Sequence, residues 1–336
     1  MPVFIGKNQK NSNYQKIFCF IENPDMKDKV WTTEDIPRLS EKVIIVTGGS
    51  SGTGLKSVYT FAKKGAQVIL ATHSLEKGQE ACKKLLQKIP GGKIDVLKLN
   101  LTDLESIEKF SAQVLQRYSR LDVLLNSAGV LTPPDLYGPN GIEGHLGINH
   151  FGHFALTGKL LILMSQTPGS RVVNVSRTGA REGKMPFENL LFDNGKETTP
   201  EKADARSELV NFLFTHELQQ FFEKNNIQSI AVAAHPGQPI TNFTRSNRNS
   251  WFSATTNSWF PFSSSEDYGE VLPLIRASVD PGVKGGEHYG LSELTEMNGY
   301  PVKLKTKGIP FNGEDSRNLW KLSEQLTGVS FTPESE

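Results

Sequence analysis

The chain is predicted to fold as one α/β domain, a doubly wound and mostly parallel sheet covered by helices, and three observations carry that prediction. Short apolar runs recur at 43–46, 67–71, 94–99, 121–125, 171–175 and 227–234, separated by helix-length amphipathic stretches; βαβ units produce this alternation. The first run, Val43-Ile44-Ile45-Val46, is apolar at every position, as a parallel strand buried on both faces requires. Thr47-Gly48-Gly49-Ser50-Ser51-Gly52-Thr53-Gly54 follows it directly and leads into a helix near Leu55. A length of 336 residues, 37% of them hydrophobic and 22% charged, suffices for one large core.

Taken in chain order, residues 1–40 lack a sustained period and read as an N-terminal arm, and the domain runs over 41–330. The glycines after the first strand permit a tight turn, close approach of backbone N–H groups to a pyrophosphate, and close strand-to-helix packing. A packing turn is the plainer reading of the same residues. The clearest helix has Thr199 as N-cap and Pro200 in its first turn, then apolar Leu209, Phe212, Leu213 and Leu218 before charge resumes at Glu223-Lys224. Residues 238–265 are rich in Ser, Thr and Asn yet hold Phe243, Trp251, Phe252, Trp259, Phe260 and Phe262. They read as an aromatic lid over an apolar substrate.

Composition narrows the partners. A net charge of +1 without long single-sign runs gives no electrostatic footprint for nucleic acid or an anionic membrane surface, so a hydrophobic small molecule is the expected partner. Membrane contact through the aromatic lid is the runner-up. Two cysteines, Cys19 and Cys82, make no disulfide framework, and the apolar run Ile17–Ile21 is too short for a signal or a span. A cytoplasmic protein is expected. Asn242-Phe243-Thr244 matches a glycosylation acceptor, a tripeptide common by chance.

Further elements follow the glycine turn in order: Asn126-Ser127-Ala128-Gly129 after the fourth strand, Asn149-His150-Phe151-Gly152-His153-Phe154, and His235-Pro236-Gly237. With them the chain, from about residue 35 to 330, resembles the short-chain dehydrogenase/reductase family, particularly its retinol-dehydrogenase-like and related fungal members. The resemblance implies a Rossmann fold and a nicotinamide dinucleotide. It assigns Gly48, Ser50, Ser51, Thr53 and Gly54 to the pyrophosphate turn, His73 and Ser74 to the ribose end, and Asn100 to the adenine. Asn126, Ala128, Gly129, Pro236 and Gly237 complete the implied cofactor contacts. The second strand ends Ala71-Thr72-His73-Ser74, where NADP-using relatives commonly carry Arg and NAD-using ones an acid. The missing acid leaves room for a 2′-phosphate beside His73, Ser74 and Lys77, so NADP(H) is the expected cofactor and NAD(H) the second candidate.

The family's chemistry rests on Asn, Ser, Tyr and Lys. Carried over position by position, only Asn149 survives: Arg177 stands where the second of two serines supplies a hydroxyl, Asp204 replaces Tyr and Glu208 replaces Lys. Tyr118, Tyr137 and Tyr268 have no Lys four residues on, and Ser176 is one position early, so a rescued tetrad is not expected. Asp204 and Glu208 are i,i+4 on one helix and share a face, with Arg177 expected to approach from a strand end. Two close carboxylates and burial raise a carboxyl pKa while Arg177 opposes both. An ordinary Asp donates no proton at pH 7, so ketone reduction loses its acid, whereas hydride transfer to an iminium carbon yields a neutral amine and needs none. Fixed negative charge there stabilises a cation. The expected function is iminium reduction, or a non-redox cyclisation or isomerisation. The alternatives are an inactive nucleotide-binding pseudoenzyme in which the three charges form a structural ion-pair cluster, and, third, conventional alcohol or ketone redox chemistry.

His150 and His153 are three apart but read as packing residues, and no metal site is expected. Helices such as 211–222 form dimer seams in the family, and the C-terminal extension 316–329 stands to block that association, leaving monomer or homodimer open.

Overall fold

A computed structural model of the chain describes residues 30–129, 146–176, 200–237, 269–292, 299–305 and 313–332. The lid segment 238–265, Arg177 and the cap residue Thr199 lie outside them. Eight strands form one sheet: β1 Val43–Thr47, β2 Gln67–Thr72, β3 Lys93–Lys98, β4 Val123–Asn126, β5 Arg171–Val175, β6 Ile230–Ala234, β7 His288–Leu291 and β8 Pro301–Lys303. Their order is β3-β2-β1-β4-β5-β6-β7-β8, parallel through β7, with β8 antiparallel at the edge. The six expected strands are present. Strands β7 and β8 carry no sequence signal of their own, since four and three residues are too few to set a period.

Helices α1 Gly52–Lys63, α2 Leu75–Lys88 and α6 Leu272–Val279 cover one face of the sheet, and α3 Leu104–Arg117, α4 Gly152–Ser165 and α5 Pro200–Lys224 cover the other. Alternation along each strand decides which core a side chain joins. Ile44 and Val46 enter the α1 side with Val68, Leu70, Val173 and Val232. Ile45 enters the α3–α5 side with Ile69, Leu124, Val172 and Ala231. Both faces are therefore buried, which explains why the central strands read as unbroken apolar runs. Strand β3, at the edge, alternates exposed and covered residues instead.

Trp31, Ile36 and Leu39, from the end of the expected arm, are buried in the α1-side core. A capping box between Thr32 and Asp35 starts the short helical turn Thr33–Asp35, and Lys64 Nζ donates to the Ile36 carbonyl at 3.0 Å. At the other end, α7 Gly313–Thr327 and the residues after it lie on α5 and α4. Trp320 and Phe331 pack there against Phe154, Phe214 and Phe221. Among the described residues no helix is long and apolar enough to cross a membrane.

Candidate nucleotide and substrate site

Strand order reverses between β1 and β4, the position at which doubly wound sheets bind ligands beyond their carboxyl ends. Gly48 has φ +66° and a Cβ there would lie 3.0 Å from the Ala128 Cα, so the β1 turn and the β4 end touch backbone to backbone. A Cβ on Gly54 would fall inside the van der Waals contact of the Gly48 carbonyl, so only glycine lets α1 start this close to the strand. Gly52, at φ +51°, faces open space. A turn without side chains, opening onto a helix N-terminus, fits a pyrophosphate. Ser51 is the exposed N-cap residue of α1 and makes no side-chain cap. Ser50 Oγ accepts from Thr72 Oγ1 at 3.0 Å, tying the turn to the end of β2.

Beyond β2, His73 is exposed and Ser74 is the N-cap of α2, accepting the Lys77 N–H at 3.3 Å. Ser74 thus has a structural duty beside the one the resemblance gives it. Asn100 Oδ1 accepts from both the amide and the hydroxyl of Thr102, so a base would meet this side chain through Nδ2.

A buried polar chain ties the first strand to the substrate side. Thr47 Oγ1 accepts the Ser127 and Ala128 N–H groups, each at 2.9 Å, and lies 2.9 Å from His153 Nε2. His153 Nδ1 is 3.1 Å from the Asn149 carbonyl; a carbonyl only accepts, so the ring carries its proton at Nδ1 and Nε2 accepts a hydrogen bond from the Thr47 hydroxyl. Asn149 sits in a π-turn, Gly147–Phe151, closed by the Gly152 N–H on the Gly147 carbonyl, a device that turns a helical side chain toward a site. A Cβ on Gly129 would lie 3.3 Å from Asn149 Oδ1, which brings the family's Asn to the end of β4.

Asn126, expected among the cofactor contacts, points into the protein. Its Nδ2 donates to Asn174 Oδ1 at 2.8 Å, and Asn174 Nδ2 donates to Thr215 Oγ1 at 2.9 Å. This ladder across β4, β5 and α5 fixes the register of the helix carrying positions 204 and 208. Neither Asn174 nor Thr215 stood out in the sequence, because a polar residue inside a strand motif carries no mark of its partner. One turn before Thr215, Asn211 Nδ2 donates to the Val175 carbonyl at 3.1 Å. Glu208, one residue short of the next turn, has 4% of its surface exposed. Ser176 is fully buried at the end of β5, and its hydroxyl, that of Ser127 and Asn126 Oδ1 have no hydrogen-bond partner among the described residues. Position 204 lies on α5, four residues before 208. At β6, His235 is buried and its N–H donates to the Tyr289 carbonyl, while the Gly237 N–H donates to the Glu270 carbonyl.

Tyr118 offers no substitute acid: its hydroxyl bonds Asp95 on β3, three strands from β4. Burial, then that bond, pushes its phenol well above the usual range.

A glycine turn at the switch point and an Asn on a π-turn at the end of β4 define a Rossmann-type nucleotide-binding protein. A family model described as short chain dehydrogenase matches residues 42–189. Retinol dehydrogenase 13 of Homo sapiens is 30% identical over 295 residues, covering 86% of this chain and 85% of that protein. Retinol dehydrogenase 11 of Mus musculus is 35% identical over 296 residues, covering 87% and 88%. A solved structure of an uncharacterized protein from Mycobacterium Paratuberculosis has a TM-score of 0.73 at 29% identity, covering 91% of this chain and 100% of that one. The chain belongs to the short chain dehydrogenase family, as one of its retinol-dehydrogenase-like members.

Proposed function

We propose that this oxidoreductase-family protein binds NADP(H) along the carboxyl edge of β2, β1 and β4 and reduces a hydrophobic small molecule whose acceptor carbon belongs to an iminium group. The carrying observation is the burial of Glu208 on α5, about one turn before Asn211, which donates to the Val175 carbonyl at the end of β5, at the position where the family carries Lys. An acid there lies inside the protein, where its field is little screened.

The nucleotide, when bound, supplies a hydride. A ketone accepting it becomes an alkoxide and must be given a proton, whereas an iminium becomes a neutral amine and needs none. Asp204 and Glu208, as carboxylates, raise the pKa of a nearby imine and so keep it in its reactive cationic form. Arg177, next in sequence after buried Ser176, orients a polar group of the substrate. Asn149, on its π-turn, faces Gly129 at the end of β4, where the substrate would meet the nucleotide. The names of the relatives support an apolar substrate, retinol being a long apolar alcohol. With the nucleotide unchanged, the same carboxylates serve a cyclisation or isomerisation through a cation.

Titration with NADPH and NADH by fluorescence is the first test, with NADPH expected to bind more tightly; binding of neither removes the cofactor. Turnover of a cyclic iminium and of a ketone by the wild type, Asp204→Asn and Glu208→Gln is the second. Loss of about tenfold or more on the iminium alone is expected, since one lost charge contact is on the order of 1.4 kcal/mol or more. Equal rates in all three would exclude both carboxylates. A second reading, nucleotide binding without turnover, draws on the absence of Tyr and Lys from positions 204 and 208. Ketone reduction gained by the double variant Asp204→Tyr/Glu208→Lys, with no activity in the wild type, would favour it.

A further inference from the structure

We propose that Glu270 is a positioning residue that holds the pyrophosphate turn and the Pro236-Gly237 turn at a fixed separation, and that it does so by engaging Lys56. Lys56 sits in the first turns of α1, directly after the glycine turn, and its Nζ lies 2.7 Å from Glu270 Oε1. The two side chains are 24% and 10% exposed, so the pair is largely withdrawn from water and salt screens it weakly. Through its main chain the same residue accepts the Gly237 N–H at 2.9 Å. Glu270 is the middle residue of the short turn Gly269–Val271, and Val271 is fully buried in the α1-side core. Its backbone is therefore anchored, and one residue grips both segments.

The ion pair also decides what Lys56 does. A lysine this close to a helix N-terminus and a glycine turn would serve as a direct phosphate ligand if its charge were unengaged. Bound to Glu270, its charge is neutralised, and attraction for the nucleotide falls to the backbone N–H groups of the turn. The two roles predict opposite signs. If Lys56 is a phosphate ligand restrained by Glu270, removing the acid tightens NADPH binding. If the pair is a strap, removing either partner loosens the turn and weakens binding.

This inference rests on the proposed nucleotide site, and the experiment separates the two. NADPH affinity is measured by fluorescence for the wild type, Glu270→Gln, Lys56→Met and the charge-swapped Lys56→Glu/Glu270→Lys. Each single variant is expected to weaken binding about tenfold, the scale of one coupled pair, and the swap to recover most of the loss. Binding by Glu270→Gln as tight as the wild type's or tighter, or a swap no better than the singles, would overturn the strap. Amide hydrogen exchange at Gly237 in the nucleotide-free protein supplies a readout that needs no ligand. Faster exchange in Glu270→Gln supports the strap even if wild type binds neither nucleotide, which would sink only the cofactor reading; unchanged exchange overturns the strap itself.

Discussion

His150 and His153 occupy a helical turn that joins the two halves of the site, and both are completely enclosed. Burial pushes His150 down to about 3, with the neighbouring His153 adding to the effect. Burial likewise lowers His153 to about 4, opposed by its bond to the Asn149 carbonyl. His150 Nε2 lies 2.8 Å from Ser323 Oγ, whose own proton goes to the Leu319 carbonyl, so Nε2 is the donor, and burial keeps the ring neutral. In the unfolded chain both rings titrate near 6.5. The folded values are depressed, so the unfolded state takes up protons first. Stability is complete above about pH 6.5 and falls as the pH drops toward the folded values, by at most about 1.4 kcal/mol per pH unit for each ring. Urea midpoints measured at pH 7.5, 6 and 5 should decline steadily, and His150→Phe should flatten that decline. A midpoint as high at pH 5 as at pH 7.5 would mean the rings are solvated or already charged.

Among the elements, the β1 turn decides binding through geometry alone. Gly54→Ala tests this, because two effects of opposite sign meet there. Replacing a helical glycine by alanine favours the helix by about 1 kcal/mol, but the new methyl would collide with the Gly48 carbonyl, and overpacking of that kind costs about 1–3 kcal/mol. The collision wins, and α1 must move off the turn. NADPH affinity should drop by more than tenfold while the circular dichroism spectrum stays native; affinity unchanged within a factor of two would mean the turn is slack. This turn was legible in the sequence because glycine spacing is a direct record of backbone approach. So were the six parallel strands β1 to β6, of which the central ones, buried on both faces, leave unbroken apolar runs. The Asn126–Asn174–Thr215 ladder, the Thr47–His153 contact and the Lys56–Glu270 pair were not. Each joins residues 41 or more positions apart, whose partners only the packing supplies. Asn126 shows the cost: its place in a family motif suggested a cofactor contact, while its side chain spans two strands.

For the molecule as a whole, the C-terminal segment determines what surface α4 and α5 present. Trp320 stacks on Phe221 with centroids 5.8 Å apart and meets Phe154 edge-on at 5.1 Å, and Phe331 lies 4.6 Å from Trp320 and 4.9 Å from Phe154. Gly158 on α4 makes room for this cover: a Cβ there would lie 2.6 Å from Val329 and 2.9 Å from the Phe331 ring. The outer face of the two helices, which would otherwise be an exposed aromatic patch open to a second copy, is thus closed within the chain. Truncation after residue 312 uncovers that patch. The shortened protein should self-associate with rising concentration in sedimentation velocity, and the full chain should not associate through this face. Trp320→Ala combined with Phe331→Ala is the milder probe. Removing large aromatic contacts costs about 3–5 kcal/mol for a fully buried ring and less for the half-covered Trp320, so the double variant should lose several degrees in Tm and gain the same tendency to pair. If both altered proteins keep the sedimentation behaviour of the full chain, the segment packs on these helices without governing association.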